Sequence, residues 1–163
     1  MLSFRDFLSE SLAGLFHDNS KPGWQISQAA MDSLSASAKY DLLHFLQGTH
    51  DAVALDSAFR SNNSLAKEIY AAFEPVREML RKSVGPAVTL YRVQPKGQFK
   101  FKRTILSFAD EDFIKKFTRS MDHDNDVLLK IRVPVKDIVA VPVMFDSYRE
   151  FICYADVLPA ANR

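Results

Sequence analysis

The stretch Ile69-Tyr70-Ala71-Ala72-Phe73-Glu74-Pro75-Val76-Arg77-Glu78-Met79-Leu80-Arg81-Lys82-Ser83-Val84-Gly85-Pro86-Ala87-Val88-Thr89-Leu90-Tyr91-Arg92-Val93 changes period in its middle. Up to Lys82 the apolar residues Ile69, Phe73, Val76 and Leu80 fall at i, i+4, i+7 and i+11, one stripe of a helix. Pro75 interrupts that stripe and is expected to kink the helix or split it in two. After Gly85-Pro86 the period becomes two. Val88, Leu90 and Arg92 then share one face of a strand, and Thr89, Tyr91 and Val93 the other.

Working outward, the segment from Ile26 to Val84 is mostly helical in pattern, with Ser33 to Ser37 offering caps and Gln47-Gly48-Thr49 a stop. The other side is strand-rich. Gln98 to Ser107 reads as one or two strands, and Val127 to Val135 alternates as a half-buried strand. Ile138 to Met144 and Phe151 to Val157 add two more. Asp110 to Arg119 reads as a short helix, with acids in its first turn and Lys115, Lys116 and Arg119 late, as the helix dipole favours. Helices first and strands after imply an α+β fold rather than alternating βαβ units.

Composition sets bounds. A chain of 163 residues predicts one domain, and 47% hydrophobic with 25% charged residues is the composition of a soluble globular protein. A net charge of +1 argues against a large nucleic-acid footprint. Cys153 is the single cysteine, so no intrachain disulfide forms, and its apolar strand marks a core thiol. No apolar run approaches the ~20 residues of a membrane helix. Asp122-His123-Asp124-Asn125-Asp126 lacks the glycine and distal glutamate of a calcium loop and reads as a solvated connection. His44 and His50 have no partners at metal spacing, and no metal is expected. Lys96, Lys100, Lys102 and Arg103, interleaved with Phe99 and Phe101, read as a strand with a basic outer face rather than a nucleic-acid groove.

Three polar residues stand in apolar, strand-like runs: Arg92 after Leu90-Tyr91, Ser107 after Ile105-Leu106, and Glu150 before Phe151-Ile152. An arginine fork suits an anionic ligand, and a carboxylate suits a reaction that develops positive charge. In order and context these runs resemble the arginine-serine-glutamate class of mono-ADP-ribosyltransferases. Leu90-Tyr91-Arg92 resembles the family's arginine strand. Ile105-Leu106-Ser107-Phe108-Ala109 resembles its Ser-Thr-Ser strand, followed by a helix through Phe113 and Phe117. Tyr148-Arg149-Glu150-Phe151-Ile152 resembles its Glu-x-Glu segment. Two departures stand out: the second and third hydroxyls are Phe108 and Ala109, and the first glutamate is Tyr148. The likeness spans roughly residues 28 to 159, with Leu34 to Arg60 and Ile69 to Lys82 similar to the family's preceding helices.

That resemblance implies helices packed on a two-sheet transferase-like β core, with NAD as substrate. Arg92 would take the pyrophosphate, Glu150 the ribosyl cation, and Ser107 would orient Glu150 or the ribose. Tyr91 and Phe117 would complete the NAD site, with Phe117 flanking the nicotinamide. Phe145 and Tyr148 would face the acceptor, a host protein or alternatively a nucleic acid. The expected state is a monomer away from membranes.

The segment Met1 to Phe16 places Leu2, Phe4, Phe7, Leu8, Leu12, Leu15 and Phe16 near helical spacing and reads as a short amphipathic helix packing on the domain, while residues 17–24, with Asn19, Ser20, Pro22 and Gly23, read as a linker or turn. The first ten residues are Met1-Leu2-Ser3-Phe4-Arg5-Asp6-Phe7-Leu8-Ser9-Glu10. They resemble the capsid-targeting peptide of internal head proteins in T-even-type phages, whose Leu/Ile-x-Glu end is cut by a prohead protease. Leu8-Ser9-Glu10 matches that end, which implies cleavage before Ser11, packaging in the virion head and delivery to host cytoplasm. The expected organisation is a peptide over residues 1–10, a linker over 11–27 and a transferase-like domain over 28–163. The alternative is a non-catalytic internal head protein on a degenerate transferase fold.

Overall fold

The computed structural model describes residues 11–48, 52–97, 102–144, 148–159 and 162. The expected peptide over residues 1–10 and the acceptor-side Phe145 lie outside the described residues. Helices α1 (Leu12–Phe16), α2 (Pro22–Ser33), α3 (Ala36–Gln47), α4 (Ala52–Ser61), α5 (Ser64–Ala72) and α6 (Glu74–Ser83) come first. Then follow β1 (Ala87–Pro95), β2 (Ile105–Phe108), α7 (Glu111–Thr118), β3 (Asp126–Pro134), β4 (Ile138–Ala140), β5 (Val143–Met144), β6 (Tyr148–Arg149) and β7 (Phe151–Tyr154). The fold is α+β, with the change of period at Gly85 marking the boundary between the two kinds of element.

Residues 11–27 do not form the expected linker: the helical spacing of Leu12, Leu15 and Phe16 is realised in α1, and the turn expected at Pro22-Gly23 is instead the start of α2. Ser11 caps α1 by accepting from the Gly14 amide at 3.1 Å, and Leu15 and Phe16 are buried. Phe16 meets Phe151 edge-on at 5.3 Å between ring centroids. Pro22 lies in the first turn of α2, where a missing amide hydrogen costs nothing. Gly23 passes so close to α1 that a β-carbon there would stand 2.5 Å from the Leu15 carbonyl oxygen. Proline and glycine here serve helix start and close packing rather than a turn.

The long helical stripe does break at Pro75. α5 ends at Ala72 and α6 restarts at Glu74, with Phe73 between them. Ile69, Phe73, Val76 and Leu80 are all buried, so the stripe survives the break and keeps facing the core. Arg77 is buried completely and ties this region to the sheet. Its guanidinium donates to the Ile138 carbonyl at 3.1 Å, the Tyr70 carbonyl and the Glu74 carboxylate, and it stacks 3.6 Å over the Tyr70 ring.

β1 pairs antiparallel with β3 in the register Leu90↔Ile131 and Arg92↔Leu129. A second sheet has the order β2-β7-β4, with Ser107↔Ile152 and Phe108↔Phe151 as partners. Reciprocal backbone hydrogen bonds between Tyr91 and Ala109, both 2.8 Å, join the two sheets at the end of β2. The expected strand over Ile138–Met144 is interrupted at Val141-Pro142, and the remainder pairs as a small β5–β6 hairpin, a third sheet. One apolar core runs from Leu15 and Ile69 through Leu90 and Ile138 to Phe151, so helices and strands share it. Among the described residues, no helix is long and apolar enough to cross a membrane.

Candidate active site

Strand pairing brings the site together. Ser107 and Ile152 are direct partners across β2 and β7, so their side chains leave the sheet on one face. Glu150 is two residues before Ile152, in the break between β6 and β7. The Ser107 hydroxyl donates to Glu150 Oε2 at 2.6 Å. Tyr148, another two residues back, donates its phenol to Glu150 Oε1 at 2.9 Å. Each carboxylate oxygen therefore receives one O–H donor.

Arg92 arrives from β1 across the Tyr91–Ala109 link. Its Nη1 donates to the Ser107 carbonyl at 2.7 Å, and its Nε donates to Gln94 Oε1 at 3.0 Å. Gln94 is buried, and its amide nitrogen donates onward to the Asn162 carbonyl at 2.9 Å. Ser107 thus serves both partners, with its hydroxyl on the carboxylate and its carbonyl on the guanidinium.

These side chains open on a cavity of about 140 Å³. Tyr91, Arg92, Ser107, Ile114, Phe117 and Glu150 line it, together with Val93, Phe108 and Ala109. Five of the expected site residues, Arg92, Ser107, Glu150, Tyr91 and Phe117, meet there. Tyr148 reaches the same place through its bond to Glu150. Phe117 is 42% exposed, which leaves a ring face open to a ligand. Phe117 packs edge-on against Phe113 at 5.3 Å, and Phe113 against Tyr148 at 5.7 Å, so an aromatic chain links α7 to the carboxylate.

Burial dominates the electrostatics. Burial pushes the Glu150 carboxyl up from the ordinary glutamate value, and the hydrogen bonds from Ser107 and Tyr148 and the Arg92 charge pull against it. Arg92 is drawn down to about 10 by burial, with Glu150 opposing and the Arg103 charge adding to the effect. It remains a cation at neutral pH. The Tyr148 phenol is pushed up by burial, by the Glu150 charge and by its bond to that carboxylate, so it stays a protonated donor. A charged guanidinium and a carboxylate in a largely apolar recess can bind an anionic group and stabilise a cation beside it.

Asp110 and Arg149, which no local sequence pattern pairs, adjoin this arrangement as a buried ion pair. Asp110 is buried and caps α7, accepting from the Phe113 amide at 2.9 Å. The buried Arg149 donates to both Asp110 oxygens. The acids at the start of the Asp110 to Arg119 segment signal the cap, but nothing local signals an ion pair 39 residues distant. Cys153 is fully buried, and burial raises its thiol well above the ordinary value, in keeping with a core residue. Asp122 to Asp126 forms a turn closed by its own hydrogen bonds, among them Asn125 Nδ2 to Asp122 Oδ2 at 2.6 Å.

Comparison with protein-family models, with curated proteins and with solved structures returned no match.

Proposed function

We propose that the chain is an NAD-dependent mono-ADP-ribosyltransferase that modifies a host macromolecule, a phage effector packaged in the head and injected. The observation that carries this reading is the meeting of Arg92, Ser107 and Glu150. They come from three separate strand regions onto one cavity, with Ser107 Oγ 2.6 Å from Glu150 Oε2.

In this reading the Arg92 guanidinium faces the pyrophosphate of NAD, whose anionic oxygens accept from its planar fork of donors. The bond between ribose C1′ and the nicotinamide nitrogen breaks, and its electron pair leaves with nicotinamide. C1′ gains oxocarbenium character. Glu150 lies where its negative charge stabilises that cation and where it accepts a bond from a ribose hydroxyl. Ser107 holds the carboxylate in place. The exposed face of Phe117 covers the nicotinamide ring. An acceptor lone pair then forms the new bond to C1′, and the acceptor proton passes to solvent. A cavity of about 140 Å³ encloses the nicotinamide–ribose end only, and the adenosine would extend along the open surface.

Tyr148 replaces the first acid of the Glu-x-Glu pattern and donates its phenol to Glu150. That weakens the case for arginine as the modified side chain. A protein acceptor fits an injected effector, with nucleic acid as the alternative.

The test is transfer of labelled NAD into a host lysate, followed by separate protease and nuclease digestion of the labelled species. Label removed by protease supports a protein acceptor, and label removed by nuclease the alternative. An unlabelled lysate with unconsumed NAD would replace this reading with that of a non-catalytic internal head protein.

A further inference from the structure

Asp110 and Arg149 perform none of the chemistry proposed above, yet they form the most deeply buried ion pair among the described residues, with side chains 0% and 4% exposed. Asp110 Oδ1 accepts from Arg149 Nη2 at 3.1 Å and from the Phe113 amide at 2.9 Å, and Oδ2 accepts from Arg149 Nε. A single carboxylate therefore closes the first turn of α7 and grips the residue between Tyr148 and Glu150. The aromatic packing repeats the link, because the Phe113 ring touches Tyr148 edge-on and lies 5.9 Å from the Arg149 guanidinium. The next turn of α7 carries Ile114 and Phe117, which line the same cavity as the Glu150 carboxylate.

A buried ion pair is a poor source of net stability, since desolvation offsets most of the attraction and an apolar pair of similar volume commonly does as well. Its fork geometry does fix direction, which an apolar pair does not. We propose that Asp110 and Arg149 are the positioning pair of the cleft, holding Tyr148 and Glu150 at a set distance from the α7 wall. Neither residue touches the reacting atoms. The kinetic side of the proposal rests on the transferase reading, and the geometric side does not.

The decisive variant is the double substitution Asp110→Asn with Arg149→Met. Asparagine keeps an oxygen for the helix cap, and methionine fills much of the arginine stem without charge. Removing both charges together leaves the net charge near Glu150 unchanged. The variant is expected to fold with a thermal midpoint near that of the wild type. Turnover of NAD should fall about 10- to 100-fold, as expected for misplacement of an intact catalytic group, with KM for NAD within about threefold. Carboxyl-carbon NMR of Glu150 should show a displaced titration midpoint. A folded double variant with wild-type turnover and wild-type Glu150 titration would overturn the proposal. If the double variant does not fold, Arg149→Lys decides. It keeps a cation for Asp110 but loses the fork, and the same losses are expected; unchanged turnover and titration would again overturn the idea. If the wild type itself consumes no NAD, the transferase reading fails, and the NMR comparison still decides the positioning role.

Discussion

Two carboxylates, Asp110 and Glu150, are met in opposite ways. Asp110 faces a guanidinium that takes both of its oxygens, in a place closed to water. Glu150 faces two hydroxyls, one on each oxygen, beside an open cavity. The first arrangement consumes the charge in a fixed link between α7 and β6. The second orients the charge without neutralising it, so its effect remains available to a ligand. Architecture and chemistry are thus divided between two acids joined through adjacent residues, Arg149 and Glu150.

The sharpest way to break that division is Asp110→Ala. It strands the Arg149 cation in the interior and removes a helix cap, and stability should fall by about 3–5 kcal/mol. Urea unfolding followed by circular dichroism measures it, and a loss below about 1 kcal/mol would contradict the architectural role.

Glu150→Gln should show the opposite profile. It removes charge but keeps size and hydrogen bonding, so turnover should drop about 100-fold or more while NAD affinity changes little. Stability should hold or rise. Because the native carboxyl is pushed up by burial, Glu150 contributes stability fully only below its unfolded-state value and loses it as pH rises through its native value. Urea midpoints of wild type and Glu150→Gln should therefore diverge as pH rises above the ordinary glutamate range, with the variant favoured. The acid limb of turnover should likewise lie above the ordinary glutamate value.

Arg92→Lys replaces a fork with a point charge and should weaken NAD binding about tenfold, equal to about 1.4 kcal/mol, by calorimetry. Equal loss of binding in Glu150→Gln would erase the distinction between the anion-binding and cation-stabilising groups.

The smallest effect is expected from Tyr148→Phe. It removes one of the two donors to Glu150, a neighbour worth about 1 kcal/mol. The Glu150 titration should move further up, and acceptor modification should change more than basal NAD hydrolysis. Equal change in both activities would place Tyr148 wholly with Glu150 and not with the acceptor.

Much of this was legible residue by residue. The stripe Ile69, Phe73, Val76, Leu80 announces one helical face, and its burial shows that the proline break interrupts backbone rather than pattern. The alternation around Leu90 and Val133 announces paired strands because a period of two has one structural solution. Ser107 and Glu150 could be matched only through the order of motifs that resembles a known family, because the two residues lie 43 apart and no local pattern pairs them. Pro22 and Gly23 misled, since the same residues punctuate turns and start closely packed helices, and only the neighbouring Leu15 and Phe16 tell the two apart. The Asp110–Arg149 pair was invisible because no periodicity reports which buried charge meets which.

The contact between Phe16 and Phe151 has a practical meaning for anyone who shortens this protein. Phe151 directly follows Glu150, so α1 acts as a back-plate for the acidic residue. Trimming at Glu10 spares Ser11 and the whole back-plate. Trimming at Pro22 would strip away the ring on which Phe151 leans, and Glu150 would lose its rear support although every cavity-lining residue stayed in place.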